Sequence, residues 1–155
     1  MFLDETAAAT NMARRSGWAP RGERCRLAAP FGHYKTTTIT AALRTSGLCA
    51  TALLDGPTNG TRFCSYVTET LVPVLHPGDI AVMDNLPAHK VAGVQDAIEA
   101  EGARLLYLPS YSPDFNPIDQ AFTKLKALLR SAAARTITDL RAAIRQAFTR
   151  FTPQE

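Results

Sequence analysis

Apolar positions run together or alternate through the first third of the chain and recur at helical spacing through most of the rest. Residues 1–4 read as the end of a strand, and residues 24–29 and 36–43 as two more, the latter carrying the β-branched run Thr36-Thr37-Thr38-Ile39-Thr40. Gly47 marks a turn, residues 48–54 form another β-rich run, and Asp55-Gly56-Pro57 stops it. These pieces predict an antiparallel meander. Beyond it, Phe63, Val67, Leu71 and Val74 lie three or four apart, which predicts a helix with Asn59 or Thr61 as its cap and Pro73 near its end. Ile80-Ala81-Val82-Met83 follows Gly78-Asp79 as a short, continuously apolar strand of the buried kind. Val91, Val94 and Ile98 line one face of a helix beginning near residue 90, with Gly102 as its stop. Residues 105–108 read as another buried strand, and helices follow at 117–133 and 138–151. A meander followed by strand–helix alternation predicts an α/β fold, a mixed sheet with helices on its faces.

The 155 residues are 46% hydrophobic and 20% charged, enough for one domain with a real core. No apolar run approaches the roughly 18 residues of a spanning helix, so no membrane partner is expected. Met1-Phe2-Leu3-Asp4-Glu5 lacks the basic-then-apolar order of a signal peptide. Cys25, Cys49 and Cys64 are odd in number and form no CxxC pair, which argues against a disulfide framework or zinc cluster and fits a reducing cytosol. Charge is unevenly placed. Residues 12–35 hold six basic residues against one acidic, residues 36–119 four against nine, and residues 120–155 seven against two. An acidic middle between basic flanks suits a metal site beside a polyanion, and equally a solvated surface of uneven charge.

Asp84 directly follows the apolar strand 80–83, and ligands of open α/β sheets gather at the carboxyl ends of strands. Asp4 has the same setting after Phe2-Leu3. Either acid is also an ordinary turn residue. Asp119 falls third in a helix that Asn116 would cap and Pro117 would begin, so it completes a capping box and opposes the helix dipole. On that helix Ile118, Ala121, Phe122, Leu125 and Leu129 form the buried stripe, while Asp119, Thr123, Lys126 and Arg130 share an adjacent face. A phosphate near Asp119 could therefore be followed by backbone phosphates near Lys126 and Arg130, or these cations are merely solvated. Three converging carboxylates would repel one another unless divalent cations intervened, and oxygen-only ligands point to Mg²⁺ or Mn²⁺. Two such ions can drive in-line phosphoryl displacement without a nucleophilic side chain. Ser16 and Ser112 have no Ser-His-Asp setting.

Val82-Met83-Asp84-Asn85-Leu86-Pro87-Ala88-His89-Lys90 resembles the "DN…HK" segment of transposases in the mariner superfamily. Leu108-Pro109-Ser110-Tyr111-Ser112-Pro113-Asp114-Phe115-Asn116-Pro117-Ile118-Asp119 resembles their "LPpYSPdlNPIE" segment, Phe2-Leu3-Asp4-Glu5 the first acidic strand, and Gly17-Trp18-Ala19-Pro20-Arg21-Gly22 the "GW…G" segment after it. The likeness runs in order over residues 1–152 and is greatest to the bacterial insertion-sequence branch called IS six-thirty. It implies a ribonuclease-H-like fold with a mixed five-stranded sheet, antiparallel meander then parallel strands, flanked by helices. It further implies a catalytic, metal-binding triad of Asp4, Asp84 and Asp119, with 34 residues between the last two. Two ions of Mg²⁺ or Mn²⁺ and DNA partners, both transposon ends and target, follow from the same resemblance. Asn85, His89 and Lys90 are expected to orient the carboxylate or touch phosphate, with His89 alternatively capping the helix beginning near 90. Asn116, Lys126 and Arg130 join them as supporting or DNA-binding residues, Trp18 sits at a subunit or DNA contact or is buried, and Tyr111 and Phe115 pack within their loop.

The family resemblance also marks departures. The insertion-sequence branch usually carries Glu where this chain has Asp119. Residues 1–155 read as one catalytic domain without the helix-turn-helix domain that such transposases carry before it. The expected protein is a homodimeric DNA transposase of the bacterial cytoplasm, associated with the nucleoid, its helix-turn-helix supplied by a separate or frameshifted frame. The alternative is an inactive truncated remnant that only binds DNA or a partner transposase.

Overall fold

A computed structural model of the chain describes residues 1–110 and 112–152. Tyr111 therefore lies outside the described residues. Five strands, β1 (Phe2–Ala9), β2 (Thr36–Arg44), β3 (Gly47–Asp55), β4 (Ile80–Met83) and β5 (Arg104–Tyr107), form one sheet in the order β3-β2-β1-β4-β5. β1, β2 and β3 pair antiparallel, and β4 and β5 run parallel to β1. The mixed sheet is the expected one, but residues 24–29 are not a strand of it. Alternation gives that stretch an apolar side, Cys25, Leu27 and Ala29, but it joins no strand of the sheet and Leu27 stays exposed, so residues 14–35 form an exposed loop between β1 and β2. Arg135 secures the loop's root by donating to the carbonyls of Thr10 (3.2 Å) and Met12 (2.8 Å).

The helices form where the apolar spacing places them. α1 (Gly60–Tyr66) begins at Asn59, whose Oδ1 accepts from the Arg62 N–H at 2.9 Å, and continues through a π-turn at Val67–Leu71 and a 3₁₀ turn at Val72–Val74. The helix expected from about residue 90 is divided: Pro87–Lys90 is a 3₁₀ turn, Gly93 takes φ +92, and α2 spans Val94–Ala100. Gly102, at φ +71, ends α2, its N–H donating to the Glu99 carbonyl at 2.9 Å. α3 (Ile118–Ala132) and α4 (Ile137–Phe148) complete the fold. Among the described residues no helix is long and apolar enough to cross a membrane.

Strand alternation distributes the core over both faces of the sheet. On one face Leu3, Met83, Phe63, Val67, Leu71, Val94 and Ile98 pack under α1 and α2. On the other, Ala8, Ile39, Ala41, Ile118, Phe122, Leu125, Leu129, Leu140 and Ile144 pack under α3 and α4. The register of β2 on β3 shifts between Thr40 and Ala42, a bulge that puts Ala50 at φ +46. The Ala50 carbonyl accepts from the buried Tyr66 hydroxyl at 2.7 Å, and burial pushes that phenol well above its ordinary range. Tyr66→Phe leaves this buried carbonyl unpaired and is expected to cost about 1–3 kcal/mol, read by urea denaturation.

A second tie steadies the turn into β4. Arg44 on β2 donates to both Asp79 oxygens, at 3.0 and 2.5 Å, and to the Val74 carbonyl at 2.8 Å. The Arg44 guanidinium holds the Asp79 carboxyl down at about 2. The unfolded chain takes up that proton at an ordinary carboxylate pKa near 4. The stabilisation is therefore complete above pH 4 and is lost as pH falls from 4 through 2. Asp79→Asn is expected to be less stable than the parent at pH 6, the gap narrowing in thermal melts as pH falls from 4 through 2.

Candidate active site

The parallel pairing of β1 with β4 matches Phe2 to Val82 and Leu3 to Met83. Carried one residue further, the same register sets Asp4 beside Asp84 at the carboxyl end of β4. Alternation along β1 turns Asp4 toward the face covered by α3 and Glu5 toward the face covered by α1. Asp4 Oδ1 accepts from the Glu5 N–H at 2.7 Å, and Oδ2 accepts from Asn116 Nδ2 at 2.9 Å. Burial, joined by the charges of Asp84, Asp119 and Glu5, raises the Asp4 carboxyl to about 6 against the opposing Glu5 N–H. Asp119 is exposed in the first turn of α3.

Asn116 is not the cap of α3. The helix starts at Ile118 after Pro117, with no side-chain cap bond, while Asn116 is buried and spends its amide on Asp4. Its Nδ2 donates to the Asp4 carboxylate, a charge-assisted bond, and with the amide held that way Oδ1 accepts from no helix N–H.

His89 is likewise not a helix cap. It is 1% exposed, with Nδ1 2.5 Å from Asp84 Oδ1 and Nε2 2.8 Å from Glu5 Oε2. The Asp84 contact is an ion pair set off the ring's donor direction, so Oδ1 has no well-directed hydrogen bond. Phe63 stacks on the imidazole with centroids 4.2 Å apart. Burial alone would lower the His89 pKa; the contacts with Asp84 and Glu5 outweigh it and push it up to about 10. Glu5 is the residue that sequence reasoning missed as part of the site. Its only linear signal is its place beside Asp4, and its partner lies 84 positions away.

The remaining predicted residues are less central. Asn85 Nδ2 reaches Ser110 Oγ at 3.5 Å. Lys90 is exposed, its Nζ 5.3 Å above the Tyr107 ring. Lys126 and Arg130 are half-buried on α3, about 10 and 16 Å along its axis from Asp119 by helical rise. Trp18 stands fully exposed in the β1–β2 loop, and Phe115, expected to pack, is 64% exposed.

Chemically the site is a set of hard oxygens. Beyond the carboxylates, Asn85 Oδ1 and Asn116 Oδ1 are buried acceptors without a donor among the described residues. Such donors fit Mg²⁺ or Mn²⁺ rather than a softer metal. The acids do not close into a coordination shell: among the described residues no three His, Cys, Asp or Glu side chains are gathered tightly enough to hold an ion.

Residues 1–141 match the family model described as DDE superfamily endonuclease. The chain belongs to the DDE superfamily of endonucleases. Its fold is that of the Mos1 transposase catalytic region, a ribonuclease-H-like sheet with flanking helices. The Mos1 transposase paired-end complex with left transposon end matches at a TM-score of 0.75 and 21% identity, over 96% of this chain and 47% of that one. The catalytic domain of Mos1 mariner transposase matches at 0.65 and 18%, over 99% and 71%. The mariner Mos1 paired-end complex with Mg matches at 0.67 and 20%, over 95% and 47%. This DDE endonuclease domain thus spans about half the length of the Mos1 chains in those complexes. No curated protein sequence matches it.

Proposed function

We propose that this DDE domain cleaves and joins DNA strands in transposition, as the catalytic part of a mariner-superfamily transposase of the bacterial insertion-sequence branch. The observation that carries the reading is the parallel register of β1 on β4, which brings Asp4 beside Asp84, together with the bond from Asn116, three residues before Asp119, to Asp4 at 2.9 Å. In this reading those three carboxylates hold two divalent ions. Bound there, Mg²⁺ or Mn²⁺ would neutralise charge on the scissile phosphate and activate water or a 3′-hydroxyl for in-line displacement. Asp4 is steadied by Asn116, Asp84 by His89, and Asp119 is aimed from the first turn of α3. The attacking oxygen forms its bond to phosphorus as the bridging P–O3′ bond breaks. Lys126 and Arg130, further along α3, meet the flanking phosphates, and the exposed basic loop 14–35 adds nonspecific attraction for the duplex. Pairing of two transposon ends calls for a homodimer, with end recognition by a helix-turn-helix unit.

Nicking of supercoiled plasmid tests this directly. Mg²⁺- or Mn²⁺-dependent conversion to open circles is expected, and metal-dependent nicking that persists in Asp84→Ala overturns the assignment. The open arrangement of the acids favours a second reading, a remnant that binds DNA without cutting. It predicts salt-sensitive DNA retention with no nicking by the parent chain.

A further inference from the structure

The Glu5–His89–Asp84 chain crosses the sheet edge from the α1 face to the acids, and its geometry is that of a support rather than a ligand set. The imidazole is fixed on every side. Phe63, itself fully buried, lies against the ring, the His89 N–H donates to the Leu86 carbonyl at 3.0 Å, and the His89 carbonyl accepts from the Tyr107 hydroxyl at 3.0 Å. Nε2 faces Glu5 Oε2 at 2.8 Å, while Nδ1 lies 2.5 Å from Asp84 Oδ1, off its donor direction, and 3.4 Å from the Asp84 backbone carbonyl. The Glu5 side chain is 14% exposed and the Asp84 side chain 35%. Since Asp84 Oδ1 is sealed from solvent, that exposure belongs to Oδ2 and the methylene. One oxygen of Asp84 is therefore engaged from behind and the other is left on the open side.

We propose that Glu5 is a positioning residue which, through His89, fixes Asp84 so that only Oδ2 is presented to the metal-binding side of the site. This rests on the reading of Asp84 as a metal-binding carboxylate. A strand-end aspartate without this support would rotate among its side-chain wells and lose the orientation. Glu5 does its part by accepting from Nε2, which keeps the ring from turning and Nδ1 on Asp84. Partners that orient a ligand from behind typically change metal affinity by about 10–100-fold when removed.

The test is Mn²⁺ affinity, measured by calorimetry and by the free-ion paramagnetic resonance signal, with melting temperature as the check on folding. Asp84→Asn is the reference. It is expected to weaken Mn²⁺ binding strongly; affinity equal to the parent's overturns the reading of the site itself. Given that loss, Glu5→Ala is expected to weaken Mn²⁺ binding by about 10-fold or more. Glu5→Gln, which keeps an acceptor for Nε2, is expected to restore affinity to within about threefold of the parent. Parent-like affinity in a folded Glu5→Ala overturns the proposal while leaving the site intact. Should Glu5→Ala fail to fold, Glu5→Gln decides alone: a loss as large as that of Asp84→Asn makes Glu5 a ligand or charge source and overturns the positioning role.

Discussion

Asp84→Asn is expected to lower metal-dependent nicking by at least about 10³-fold, the several kcal/mol that charge stabilisation at a phosphoryl centre supplies. The substitution removes one charge and almost no volume. Asparagine can still offer an oxygen to His89 Nδ1, but one of the two charges that hold the buried imidazolium is gone, so the melting temperature is expected to fall with the fold retained. A fall in rate at a temperature where both proteins remain folded separates loss of a ligand from loss of the fold. Asp119→Glu should behave differently. Asp119 is exposed in the first turn of α3, where one more methylene can extend toward solvent. Its nicking rate is expected to stay within about tenfold of the parent, as a flexible exposed carboxylate can re-aim at small entropic cost. Initial rates of open-circle formation at saturating Mn²⁺ check both. An Asp84→Asn preparation that nicks at the parent rate would place the activity elsewhere.

The fold was legible where period and punctuation agree. Continuous apolar runs at 80–83 and 105–108 mark buried parallel strands, and the i, i+3, i+4 spacing of Ile118, Phe122, Leu125 and Leu129 marks the buried stripe of α3. It was less legible where a local rule met a tertiary one. Asn116 before Pro117 has every local feature of a cap, yet a carboxylate from β1 claims its amide. Residues 24–29 alternate as a strand would, with Cys25, Leu27 and Ala29 on one side, yet no strand of the sheet pairs with them and they stay exposed. Asp84 could be singled out by its strand-end position; Asp4, expected at a strand end too, lies inside β1, which runs on to Ala9, and it meets Asp84 through the parallel register. Glu5 could not be singled out, since its partner His89 is found only once the strand order puts β4 beside β1 and the loop after it folds over the α1 face.

Asp4→Asn is expected to stabilise the metal-free protein by about 2 kcal/mol at neutral pH, after allowance for solvent screening of a half-buried group. That corresponds to a rise of roughly 4–8 °C in melting temperature for a domain of this size. The sign follows from Asp4's raised carboxyl. The folded chain keeps that proton up to about pH 6, whereas the unfolded chain releases it near 3.8. Between those values the folded state binds more protons, so parent stability declines as pH rises from about 4 to 6 and stays lower above it. Asparagine carries no charge to bury. Its new amide would face Asn116 Nδ2, but rotation of the Asn116 amide presents Oδ1, a buried acceptor without a partner in the parent, and the contact is remade. Below pH 4 both proteins are neutral at this position and should melt alike. Divalent cation reverses the ranking, since Mg²⁺ or Mn²⁺ relieves the repulsion among Asp4, Asp84 and Asp119 in the parent and has one carboxylate fewer to bind in the variant. Thermal melts from pH 3.5 to 8, with and without millimolar Mn²⁺, read all of this. A variant that melts below the parent at pH 7.5 without metal would show that Asp4 is held by its hydrogen bonds at no electrostatic cost. The expected result is the opposite: an acid on which the proposed catalysis relies is one whose charge the metal-free fold bears at a cost.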